Sequence, residues 1–112
     1  MAQVDKLLER LVKRVNEHGA FFDITIFVGG AMISGRLAPR TSWLDAHISM
    51  FTVSADTAFV DDFAQEGAAP NAEEYLHLSQ AKKVYGDAAL PTSGGAFRVP
   101  LTEVQGWMPG RA

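Results

Sequence analysis

The sequence predicts an α+β domain, mainly β, in which an N-terminal helix leads into a small, strongly bent antiparallel sheet or barrel of about five strands. Three observations carry this reading. Apolar residues recur at three- and four-residue spacing near the start. A Gly-Gly pair sits between two runs that alternate apolar and polar residues. Further short runs rich in aromatic and β-branched residues follow, each bounded by Pro or Gly.

The first element is predicted over residues 1–19. Val4, Leu7, Leu8, Leu11, Val12 and Val15 form one face of an amphipathic helix, while Asp5, Lys6, Glu9, Arg10, Lys13 and Arg14 take the others. Asp5 and Glu9 are a like-charge i,i+4 pair and Glu9 and Lys13 a favourable one. Gly19 is placed to stop the helix, with Asn16 and His18 in its last turn. A stripe this narrow packs on a sheet.

Residues 23–53 are predicted as a β-hairpin and a third strand. With Gly29-Gly30 as the turn, Val28 faces Ala31, Phe27 faces Met32, Ile26 faces Ile33, Thr25 faces Ser34, Ile24 faces Gly35 and Asp23 faces Arg36. This register puts Ile24, Ile26, Val28, Ala31 and Ile33 on one face, and a hydroxyl pair and an opposite-charge pair on the other. Pro39 breaks the pattern, and Trp43–Val53 reads as the third strand from its aromatic and β-branched content.

Residues 54–74 form an acidic insertion. A short helix is expected within 54–66, capped by Ser54 or Asp56 and carrying Phe59, Val60 and Phe63, followed by a loop over Gly67–Asn71. Residues 75–108 hold the last two strands, Tyr75–Tyr85 and Phe97–Val104, joined by a long mobile connection over Gly86–Ala96. Pro100 marks an edge or a bulge, and 109–112 is expected to be a frayed tail.

At 112 residues the chain, 1–112, is a single domain, and its 47% hydrophobic and 21% charged content is that of a soluble globular protein. No apolar run reaches the roughly 20 residues that span a bilayer. The N-terminus lacks a charged stretch followed by an apolar core, so export by a signal peptide is not expected. With no cysteine, disulfides and thiolate chemistry are excluded, and a reducing cytoplasm fits. The net charge of −3 argues against nucleic acid as a partner. Its distribution is uneven: Lys6, Arg10, Lys13 and Arg14 crowd the first segment, while Asp56, Asp61, Asp62, Glu66, Glu73 and Glu74 crowd the middle. Opposite charges on different parts of one chain attract other copies of it.

Catalytic machinery is not predicted. His18, His47 and His77 lie on a helix end and two strands, without the close spacing of metal ligands, so no metal and no cofactor is expected. Asp61-Asp62 and Glu73-Glu74 belong to a solvated acidic stretch. No serine sits in a nucleophile elbow, and neither Gly29-Gly30 nor Gly94-Gly95 has the lysine and hydroxyl of a phosphate loop.

A helix followed by about five short bent strands looks like the Sm-like architecture, and Gly35 and Leu37 sit where that family keeps a glycine and an apolar residue in its second strand. The resemblance raises an oligomeric RNA-binding module as an alternative function. The positions matching the family's base-gripping residues are Thr41, Asp45 and Gln105-Gly106, so the family's arginine is missing and an acid replaces its amide.

A second resemblance is carried by Ile33-Ser34-Gly35-Arg36-Leu37, by Leu76-His77-Leu78-Ser79-Gln80-Ala81 and by Leu101-Thr102-Glu103-Val104-Gln105-Gly106. These three motifs, in this order, resemble the gas vesicle accessory protein U (GvpU) family. What this implies is a non-enzymatic cytoplasmic protein at the gas vesicle surface that works through homo-oligomerisation and contacts with vesicle shell or accessory proteins. The residues expected to form its interaction surface come from the sequence itself. Phe27 and Met32 project together from the polar face of the hairpin, Trp43 and Trp107 are large aromatic anchors, and Lys6, Arg10, Lys13 and Arg14 form a basic helix patch.

Overall fold

A computed structural model describes residues 4–54, 57–69, 73–86 and 94–111. The elements are α1 (Lys6–His18), β1 (Phe22–Val28), β2 (Ala31–Leu37), α2 (Arg40–Val53), α3 (Val60–Ala68), β3 (Tyr75–Tyr85), β4 (Gly95–Pro100) and β5 (Gly106–Pro109). Single 3-10 turns precede α3 at Thr57–Phe59 and follow β4 at Leu101–Glu103. The expected Asp56 cap, the Pro70-Asn71 part of the acidic loop and most of the Gly86–Ala96 connection lie outside the described residues.

Helix α1 starts where Asp5 turns its carboxylate back on the first turn. Oδ1 accepts from the backbone N–H of Leu7 at 2.9 Å and of Leu8 at 3.1 Å, satisfying donors that a helix start leaves free. Asp5 is therefore a cap, a role its charge pairing with Glu9 did not suggest. Gly19 ends the helix as expected, its N–H bonded to Val15 O at 2.9 Å. Leu8, Val12 and Val15 are the buried face, and they pack on Ile24, Ile26 and Ile33.

The hairpin has the predicted register, extended by one pair to Phe22↔Leu37. Gly29 and Gly30 form its turn with φ of +56° and +78°, the left-handed values a two-residue hairpin turn demands. The sheet runs β4-β3-β2-β1-β5, antiparallel throughout the hydrogen-bonded neighbours, and it is not closed into a barrel. Between Leu78 and Ala81 the pairing of β3 with β4 shifts, and Gln80 there takes φ +53°. That bulge bends β3 so that Leu76, Leu78 and Ala81 all reach the core, with Val99 and Leu101 beside them. Removing each large side chain among these from water contributes about 1.5–3 kcal/mol.

Three expectations are corrected. Trp43–Val53 is not a strand but most of α2. Its partly or fully buried residues, Trp43, Leu44, His47, Ile48 and Phe51, recur at three- and four-residue spacing, and that period outweighs the strand-like composition. The count of five strands survives because the expected last strand, Phe97–Val104, reaches only to Pro100, and a further strand not expected from the sequence lies beyond Val104. Pro100 ends β4, a 3-10 turn intervenes, and Gly106 opens β5. As far as Arg111 the tail is not frayed: Gly110 N–H bonds Asp23 O at 2.7 Å, and Arg111 Nε lies 3.4 Å from Asp23 Oδ1, while Ala112 lies outside the described residues.

The tail explains why the polar face of the hairpin is also covered. Thr25 and Ser34 are both buried and share a hydrogen bond at 2.7 Å. Thr25 Oγ1 donates to Gly110 O at 2.8 Å, and a carbonyl can only accept, so the proton between the two hydroxyls comes from Ser34.

Candidate functional site

Two regions gather side chains that local folding alone does not account for. The first lies at the turn end of the sheet. Phe27 faces Met32 across β1 and β2, and Met32 faces Tyr85 across β2 and β3, so the three form one cross-strand row. With Gly30, Ala31 and Gln105 they line an almost wholly apolar depression of about 440 Å³. Phe27 is at the margin of exposure, Met32 is half-buried, and Tyr85 is 71% exposed. Met108 on β5, opposite Thr25, adds another exposed apolar side chain, and Lys82, opposite Ser34, an exposed cation.

The second region is the layer between the helical insertion and the sheet. Trp43 lies 4.0 Å from His47 and 5.0 Å from His77 between ring centroids, and His47 stacks on Phe63 at 5.4 Å with planes 8° apart. His47 Nδ1 is 2.7 Å from Trp43 O, which fixes the proton on that nitrogen. Arg98 on β4 donates to Glu66 Oε2 at 2.9 Å and lies 3.9 Å over the Tyr75 ring. Arg40 reaches the carbonyls of Glu66 and Ala69 at the end of α3, where a helix presents negative charge. Its own N–H bonds Asn16 Oδ1 of α1 at 2.8 Å, so one residue ties the start of α2 to the ends of α1 and α3.

His77 is 2% exposed, and its pKa is pushed down to about 4. Burial is the main cause, and the guanidinium groups of Arg98 and Arg40 add to it, partly offset by Glu66. It is thus neutral at physiological pH. Trp43 Nε1, His77 Nε2 and Arg98 Nε are buried and find no hydrogen-bond partner among the described residues. The neighbouring cleft, about 220 Å³ between Leu44, Asp62, Phe63, Glu66 and Arg98, is small and carries both signs of charge. Among the described residues no three His, Asp or Glu side chains are placed to hold a metal ion.

The residues expected to form an interaction surface are thus divided. Phe27 and Met32 lie together and partly open to solvent. Trp43 sits in the layer under the insertion, held against two histidines. Trp107, on β5 opposite Ile26, packs against the core and donates its indole N–H to Asp5 Oδ2 at 3.0 Å. Lys6, Arg10, Lys13 and Arg14 are all exposed on α1, but Lys6 lies 3.7 Å from Glu9 and Lys13 3.9 Å from Glu17. Such exposed pairs are weak and leave Arg10 and Arg14 as the less compensated cations. Thr41 and Asp45 lie on the exposed side of α2 rather than on a strand, and Gln105 bonds its N–H to Phe27 O at 2.8 Å.

Sequence reasoning missed Tyr85, because its place in the row depends on shifts in β3 that no local pattern announces. It also missed the buried status of His77, although the flanking Leu76 and Leu78 give a run buried on both faces.

The sequence profile of the gas vesicle protein GvpU-like family matches residues 5–112, essentially the whole length, and the chain belongs to that family. Neither a curated protein nor a solved structure matches it.

Proposed function

We propose that this member of the GvpU-like family is a non-enzymatic accessory protein of gas vesicles, acting in the cytoplasm at the vesicle surface. It works by associating with itself and by touching vesicle shell or other accessory proteins. Family membership supports the vesicle role. The observation that supports association is the Phe27–Met32–Tyr85 row, an apolar strip left open on a sheet whose opposite face is packed. The basic helix α1 and the acidic run around α3 add weak, repeated attraction between copies.

The test is flotation and sedimentation. Purified vesicles are mixed with the protein and floated, and the protein alone is followed by sedimentation velocity from low to high ionic strength. The reading expects the protein to rise with the vesicles, and to form species larger than one chain that shrink as salt screens exposed charges. A chain that stays behind and sediments as a monomer throughout overturns it.

A further inference from the structure

Among the remaining features one pair of surfaces stands out, because each has what the other lacks. The outer face of the sheet carries the Phe27–Met32–Tyr85 row bordered by Lys82, which stands opposite Ser34, is exposed and has no ion pair among the described residues. At the far end of α2 a second apolar patch is exposed. Met50 is 54%, Val53 88% and Phe59 53% exposed, and Phe59 is held to this corner by its ring contact with Phe51 at 5.6 Å. Its border is acidic: Asp61 and Asp62, both exposed, occupy the first turn of α3.

We infer that the outer sheet face of one copy docks the α2–α3 corner of a second copy, Lys82 meeting Asp61 and Asp62 around apolar centres. This inference rests on the self-association proposed above and names its geometry. Two-fold pairing of the sheet face with itself would set lysine against lysine, and pairing of the corner with itself would set aspartate against aspartate. Like charges face to face oppose both arrangements. Joining unlike patches satisfies both borders and covers both apolar strips. Because the two patches lie on different elements, the contact is head-to-tail, and each added copy leaves one patch of each kind free. Growth then continues unless the rotation closes a ring.

The experiment uses two variants of the full chain, both altered only at exposed positions. One carries Lys82→Glu and Tyr85→Ser, the other Asp61→Asn and Val53→Ser, and circular dichroism establishes that each is folded. Sedimentation velocity is run on wild type, on each variant and on their equimolar mixture. Wild type is expected to assemble. Each variant alone is expected to stay monomeric up to at least tenfold higher concentration. The mixture is expected to form a heterodimer and stop there, since only one intact patch of each kind remains. A variant that assembles like wild type, or a mixture that stays monomeric while wild type assembles, overturns the head-to-tail contact and leaves self-association standing. A monomeric wild type overturns both.

Discussion

The indole N–H of Trp107 reaches Oδ2 of Asp5 at 3.0 Å across 102 residues of sequence, while Oδ1 of the same carboxylate caps α1. One side chain thereby fastens the first helix to the last strand. Asp5→Ala removes both connections and Trp107→Phe only one. Denaturant titration is expected to show a lower midpoint for both variants, further down for Asp5→Ala, with the slope unchanged. The bond to Trp107, and then the bonds from Leu8 and Leu7, hold the Asp5 carboxyl below the usual range. Its contribution is present at neutral pH and is lost as pH falls through that depressed value.

His77 gives an acid dependence of its own. Its folded pKa of about 4 lies below the ordinary 6.5, so between these values the unfolded chain binds the proton and the folded chain does not. Stability from this group is complete above about pH 6.5 and falls as pH drops towards 4, by on the order of 2–3 kcal/mol. Urea melts at several pH values on wild type and His77→Leu check it: the gap between the two is expected to shift in favour of the leucine variant across that window.

Gly86 sets a sharp steric test. It follows β3 with φ +100°, and a Cβ there would stand 2.7 Å from Ala31 Cα and 2.8 Å from Gly30 O. Gly86→Ala is expected to cost about 2–3 kcal/mol in denaturant unfolding. Gly29→Asn, at φ +56° with nothing within 4 Å, is expected to cost less than about 1 kcal/mol, because asparagine tolerates the left-handed region.

Arg98 and Glu66 connect β4 to α3 through a half-buried bond of 2.9 Å. Glu66→Gln keeps the shape and removes the charge, and is expected to lower stability by about 1 kcal/mol. Hydrogen exchange should quicken in α3 more than in the hairpin, since the bond holds the helix and not the strands.

Much of the sheet was legible because its signals are local. The two glycines fix the turn, the turn fixes the register, and the register places Phe27 beside Met32. The span of β3 was readable in the same way, but the row's third member was not. Tyr85 comes opposite Met32 only after β3 has shifted register twice, once near Gln80 and once between Met32 and Ile33. The helix α2 was misread because Trp, Ile, Phe, Thr and Val suit a strand, and their spacing was given less weight than their type. The layer around His77 needed the fold itself: its members come from α2, α3, β3 and β4, which are distant in sequence.

The helical pair leaves the sheet after Leu37 and the chain rejoins it at β3, where Leu37 stands opposite Leu78 and Ala38 N–H bonds His77 O at 3.0 Å. Its two roots are thus side by side, stitched together by the strands rather than by the helices. The insertion therefore springs from and returns to one point of the scaffold, and its other ties to the sheet, Trp43 on His77 and Glu66 on Arg98, are made by side chains alone.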